Sequence, residues 1–181
     1  MSGCSMPPRV GRVFRAVAAL PLVLLLGLAG CSDDDDNNKA SSDLVNAPAT
    51  GPVAVIRRTT NGVPHVKADN LESAAFGAGY AQAQDAVCLI ADAIIKARSE
   101  RALYLGPGPG DIHVINDFSY KAQRVLSGAA AEYATLSAES KALIKGFVAG
   151  YNKYVRETPK ANLPVECRNA PWVFQVTAND L

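Results

Sequence analysis

The chain has 181 residues, 49% of them hydrophobic and 19% charged, with a formal net charge of +1. That apolar fraction excludes a wholly disordered polypeptide. The near-neutral balance, with no basic cluster beyond Arg57-Arg58, leaves no electrostatic footprint for a nucleic-acid partner. No repeat at solenoid or propeller spacing is visible.

Residues 1–30 read as an export signal. Arg9, Arg12 and Arg15 form a positive segment, and the apolar run from Val17 to Leu28 is too short to span a bilayer as a stable helix. The run closes on Leu28-Ala29-Gly30-Cys31, which is similar to a bacterial lipobox. On that reading Cys31 becomes the lipidated first residue of a mature lipoprotein, anchored to a membrane of the cell envelope and facing the periplasm. An ordinary secretory signal ending near a cysteine is the alternative. No Arg-Arg pair precedes the run, so the general export route is expected.

Residues 31–50 are expected to be a flexible acidic tether. Asp33 to Asp36 are consecutive like charges without apolar periodicity, and a run of that kind offers a metal no fixed geometry. Of the four cysteines, Cys4 falls in the signal and Cys31 in the lipobox. Cys88 and Cys167 remain, and in an oxidising compartment they are expected to pair. A buried helical cysteine and a loop cysteine that never meet is the other reading.

Residues 51–181 are enough for one domain with a modest core. Residues 53–60 are rich in β-branched side chains and predict a strand. Asn61-Gly62 is a turn signal, and residues 64–68 continue as a second short strand, giving a hairpin. From Leu71 the period changes: Ala83, Val87, Ile90, Ile94 and Ala97 mark the buried face of a helix, with Asp92, Lys96 and Glu100 off that stripe. Ala74, Gly77, Ala78 and Ala81 form a small-residue surface that lets another element approach. Gly106-Pro-Gly-Pro-Gly predicts a loop.

Two more helices are predicted. One covers residues 114–126; the other runs from an N-cap at Ser137 to about Arg156, with Leu143, Phe147, Tyr151 and Tyr154 on one face. Residues 159–171 read as irregular and 172–177 as a candidate strand. The order is α+β, mostly helical behind a short hairpin. Two strands are marginal alone, so further polypeptide is expected to cover them.

Self-contained catalytic machinery is not evident. The two histidines, His65 and His113, lie in no zinc-binding pattern, and no Gly-x-Ser-x-Gly elbow occurs. Gly106-Pro-Gly-Pro-Gly lacks the Lys-Ser/Thr of a phosphate loop. A triad of His65, Asp85 and some serine has no spacing to recommend it.

Four pieces of sequence carry a resemblance. Arg58-Thr-Thr-Asn-Gly-Val-Pro-His-Val contains Gly62, Pro64 and His65, and Gly77-Ala-Gly-Tyr-Ala-Gln-Ala-Gln-Asp contains Gly77, Gly79, Tyr80 and Asp85. Arg98-Ser-Glu-Arg-Ala-Leu-Tyr-Leu-Gly-Pro follows, then Cys167-Arg-Asn-Ala-Pro-Trp-Val with Trp172. Together they resemble the α-chain of the penicillin acylase family of N-terminal nucleophile hydrolases, nearest in appearance to the acyl-homoserine lactone and aculeacin-type acylases. Thr59 and Asn61 depart from the family's acidic and aromatic residues there.

The resemblance implies the α-chain part of an αββα sandwich, incomplete without a β-chain made from the same precursor. It implies hydrolysis of a small-molecule acyl amide, with an N-terminal serine of the β-chain as nucleophile and no catalytic residue in this chain. Gly62, Pro64, His65, Gly77, Gly79, Tyr80, Asp85 and Trp172 would then be structural. No cofactor is implied; some members bind calcium through a glutamate beside a tryptophan, and the Trp172 region lacks it. A lipid-anchored helical binding module and a truncated gene product are the non-catalytic alternatives.

Overall fold

The computed structural model describes residues 42–46 and 51–181. The expected signal at 1–30, Cys31 and the acidic run lie outside the described residues. The elements are strands β1 (Ser42–Asn46), β2 (Val53–Arg58) and β3 (Pro64–Lys67), then helices α1 (Leu71–Ala97), α2 (Arg101–Leu105), α3 (Ile112–Ala122), α4 (Val125–Thr135) and α5 (Ala138–Glu157).

The predicted hairpin is β2–β3. Gly62 takes φ +80°, and its N–H donates to the Thr59 carbonyl at 2.9 Å to close the turn. Antiparallel register sets Arg57 opposite His65 and Val55 opposite Lys67. Strand alternation then sends Ala54 and Ile56 to one face, where they are 1% and 2% exposed beside Phe76 of α1. Arg57, His65 and Lys67 line the exposed opposite face. A third strand falls within the stretch read as a tether: β1 pairs with β2, Asn46 opposite Val53. Its Ser-Asp-Leu-Val-Asn sequence is too short and polar to announce a strand. Here the exposed edge of β2 supplies the partner.

Helix α1 starts at Asn70, whose side chain accepts from the Ser73 N–H at 2.9 Å. It is interrupted at Ala86 (φ −148°, ψ 33°), one residue past Asp85. Ala83, Val87, Ala91, Ile94 and Ile95 are buried against Tyr151, Leu163, Trp172 and Val173 in the main core. Ile90 and Ala97, expected on that stripe, are only half-buried.

Helix α5 begins at the predicted N-cap, where Ser137 Oγ accepts from the Ser140 N–H at 3.1 Å. It runs parallel to α1, Gly146 facing Glu72 and Ala75 while Gly150 faces Phe76 and Tyr80. The predicted apolar face is buried only in part. Tyr151 is 1% exposed, but Leu143 is 42% exposed, and the seam is built on Gly146 and Gly150 with Gly79 opposite. A Cβ at Gly146 or Gly150 would overlap the Glu72 or Phe76 carbonyl oxygen, and one at Gly79 the carbonyl of Phe147. Hydropathy misses such a contact, because its residues contribute no side chain. Burial pushes the Tyr151 phenol up to about 12, so this ring is a neutral packing element at working pH.

The predicted helix over 114–126 is two helices. Arg124 adopts φ +56°, and α4 starts anew behind it. The 106–110 loop has positive φ at Gly106, Gly108 and Gly110, with one tight 3-10 turn at Pro109–Asp111. Residues 172–177 are extended but form no strand. Asn152 of α5 supplies their partner instead: its amide donates to the Val176 carbonyl and its oxygen accepts from the Val176 N–H, both at 2.8 Å. Cys167 is disulfide-bonded to Cys88 across 79 residues, tying this terminal segment to α1.

Gly150→Leu is expected to lower stability by about 3 kcal/mol or prevent folding, because backbone must move to admit it. Gly128→Ala in α4, where nothing lies within 4 Å, should raise stability by about 0.5–1 kcal/mol in the same urea titration. Removing the disulfide as Cys88→Ala/Cys167→Ala is expected to cost about 4 kcal/mol by loop entropy. Urea midpoints with and without reductant measure it.

Candidate functional site

The residues that carry the family resemblance converge on one side chain, Arg58 at the end of β2. Its guanidinium donates to the Gly62 carbonyl at 2.9 Å, to the Ala81 carbonyl at 3.3 Å and to Gln84 Oε1 at 3.0 Å. It also grips Asp85 with both terminal nitrogens, at 3.1 and 3.0 Å. Five donors in a rigid fork suit such a cluster, which a lysine could not reproduce. The Gly62 turn and the Gln84-Asp85 end of the second motif are thus two halves of one lock between hairpin and helix.

The other motif residues surround it. Gly77 lets α1 lie on Val66 and Ala54 of the sheet, and Pro64 opens β3. Tyr80 stacks edge-on against Tyr154 of α5, ring centres 5.9 Å apart, with its hydroxyl donating to Glu157 at 3.4 Å. Trp172 is 9% exposed in the core. His65 points to the sheet face opposite Arg58 and Asp85, so a His65–Asp85 pairing does not form.

The third motif has a lock of its own. Arg101 pairs with Asp92 through two bonds at 2.9 and 3.1 Å. Asp117 of α3 accepts from the backbone N–H groups of Arg101 and Ala102, at 3.0 and 2.8 Å, capping α2 from another helix.

At the C-terminal segment Arg98 clamps Asp180 at 2.6 and 2.8 Å and lies 4.8 Å over the Phe174 ring. The Asp180 carboxylate, 2% exposed, also accepts from the Thr177 N–H and hydroxyl. Burial alone would raise its pKa, but the bonds from Arg98 and Thr177 outweigh that and hold it below the ordinary range. The bond to Asp180 in turn raises Arg98. Sequence reasoning missed this clamp, although Thr177-x-x-Asp180 is a legible capping-box pattern.

What these groups can do is hold, not react. Among the described residues neither histidine is hydrogen-bonded to a serine or cysteine. His113 Nδ1 lies 2.9 Å from the Gly106 carbonyl, and Cys88 and Cys167 are bridged. No group of three or more His, Cys, Asp or Glu among the described residues could hold a metal ion. Between α1 and α5 opens an apolar groove of about 550 Å³, walled by alanine, leucine, isoleucine and phenylalanine, with no titratable side chain.

Comparison with known proteins gives this scaffold its family. A sequence model described as penicillin amidase matches residues 53–178. The chain belongs to the penicillin amidase family. It is 36% identical over 139 residues to the acyl-homoserine lactone acylase PvdQ of Pseudomonas fluorescens strain Pf0-1, a match covering 75% of this chain and 18% of that protein. Against the aculeacin-A acylase of Actinoplanes utahensis it is 37% identical over 139 residues, covering 72% of this chain and 18% of the relative. The chain therefore spans under a fifth of these curated relatives' length. A thermostable penicillin G acylase from Alcaligenes faecalis shares the fold at TM-score 0.61 and 26% identity, over 77% of this chain and 68% of the solved one. The α+β architecture is one that this solved acylase shares.

Arg58→Ala is expected to lower stability by about 1–2 kcal/mol. Arg58→Lys should recover little of it. Hydrogen exchange at the Asn61-Gly62 turn localises the loss. Asp180 titrates below its ordinary value, so its stabilisation is present above about pH 4 and lost as pH falls through the folded-state value. Limited proteolysis should show residues 174–181 released on acidification below about pH 4. Asp180→Asn should be released at neutral pH.

Proposed function

We propose that this chain is the α-chain portion of an exported N-acyl amide hydrolase whose nucleophile resides on a β-chain from the same precursor. One observation carries the reading: residues 53–178 match an amidase family while the described residues contain positioned structural clamps and no nucleophile–base pair. The β-chain's N-terminal serine attacks the substrate carbonyl, and its own α-amine, with a reference pKa of about 7.7–8.0, takes the proton. The α-ammonium returns that proton to the leaving nitrogen as the amide C–N bond breaks, and the amine departs to leave an acyl-enzyme. Water then hydrolyses the ester to release the acid and restore the serine hydroxyl. Long-chain acyl amides such as N-acyl-homoserine lactones are favoured over β-lactams, because the matched relatives bear acyl-homoserine lactone and aculeacin names at 36% and 37% identity. Export and anchoring through Cys31 belong to the same reading and rest on the Leu28-Ala29-Gly30-Cys31 sequence.

The test uses the gene's full product, expressed with its signal and assayed on N-dodecanoyl-homoserine lactone and penicillin G. Cleavage of the lactone by the full product, none by the 181-residue chain, and release from membranes on Cys31→Ser are expected. Turnover by the 181-residue chain alone overturns the division of labour.

A further inference from the structure

We propose that the Cys88–Cys167 bridge is a thiol–disulfide exchange site in which Cys88 exchanges, Cys167 leaves, and Glu166 selects against thiols that carry a further negative charge. The first observation is access. A cavity of about 350 Å³ opens beside the interruption of α1 at Ala86, and Cys88 is part of its lining while Cys167 is not. Cys88 is half-buried. Cys167 is 1% exposed and is enclosed in the main core with Leu163, Trp172 and Val173. Exchange goes through whichever sulfur an incoming thiolate can reach, and here that is Cys88.

The second observation is charge. Among the described residues the cavity lining holds two carboxylates, Asp85 and Glu166, and no lysine or arginine. Asp85 is balanced by its pair with Arg58. Glu166 makes no ion pair among the described residues, and Arg168 in the same segment donates to the Leu163 carbonyl instead. An attacking thiolate therefore meets an unbalanced negative charge. One that also bears an ammonium group arrives with no net charge, whereas one that also bears a sulfonate is repelled twice over.

In the first step the incoming thiolate forms a sulfur–sulfur bond to Cys88 as the Cys88–Cys167 bond breaks. Cys167 departs with the electron pair and takes a proton from water. A second thiolate then attacks the small molecule's sulfur in the mixed disulfide. The products are a small-molecule disulfide, oxidised by two electrons, and the protein dithiol. The bridge ties down a segment, 159–181, that has only short 3-10 turns and no strand. Leu163, Trp172 and Val173 of that segment are in one core cluster with Val87 and Tyr151. Opening the bridge unfastens this part of the core from α1 and leaves the Asn152–Val176 and Arg98–Asp180 bonds in place. The site is a redox latch on the main core.

The test uses the oxidised 181-residue chain carrying Cys4→Ser and Cys31→Ser. It is treated at low ionic strength with cysteamine, 2-mercaptoethanol or 2-mercaptoethanesulfonate, quenched with acid and peptide-mapped. The adduct is expected on Cys88, with Cys167 as the free thiol. Per thiolate, the ratio of the cysteamine rate to the sulfonate rate is expected to fall about threefold in Glu166→Gln. About 1 M sodium chloride should lower the ratio of the unsubstituted site by at least as much. Glu166→Gln is expected to keep the parent's urea midpoint, and the salt comparison decides where that midpoint moves. Adducts divided between the two cysteines overturn the proposal, as does a ratio that salt and Glu166→Gln both leave unchanged. So does exchange that occurs only where urea unfolds the chain.

Discussion

Two parallel helices pressed together backbone to backbone set the geometry of everything else in this molecule. Gly79, Gly146 and Gly150 have no Cβ, and the space each leaves is taken by a carbonyl of the opposite helix. Dispersion scales steeply with distance, so such proximity brings many atoms into contact without large side chains. It also leaves no tolerance, since a single methyl group meets backbone rather than a movable side chain. From that seam the hairpin is carried on one end of α1, through Gly77, and the terminal segment is laid across the other, through Cys88–Cys167.

Around the seam, irregular segments are fixed by side chains standing in for missing backbone partners. Asn152 takes the place of a neighbouring strand for Val176, Asp117 caps α2 from α3, and Arg58 collects the carbonyls of a turn and of a helix. Each solves the same problem: a half-buried N–H or C=O without a ladder costs free energy unless something polar reaches it. The motifs that mark the family in this chain are largely these solutions. Their residues look catalytic in type, being arginine, aspartate, glutamine and asparagine, yet they are spent on geometry.

This explains how a chain can belong to an amidase family and show no reactive centre among its described residues. On the proposed reading the nucleophile is the N-terminus of another polypeptide, so a region like this one can contribute a surface and a sheet edge without contributing the reacting atom. The proposed assignment of amide hydrolysis rests on family membership and on that division. Among the described residues the α1–α5 groove and one face of the sheet are left exposed.

Local chemistry in the sequence was enough for several elements. β-Branched residues before Asn61-Gly62 determined the hairpin, Ser137 determined where α5 starts, and the glycines and prolines of 106–110 determined a loop. These depend on nearest neighbours, which a sequence displays directly. Tertiary structure alone decided the rest. The strand at Ser42–Asn46 exists because β2 offers an edge, Arg124 divides two helices by a left-handed backbone that no glycine or proline announces, and the buried face of α5 is a glycine seam that carries no hydropathy signal. The roles of Arg58 and Asp85 likewise needed 27 residues of intervening chain to fold back before they could meet, and pairings of that range leave no periodic trace.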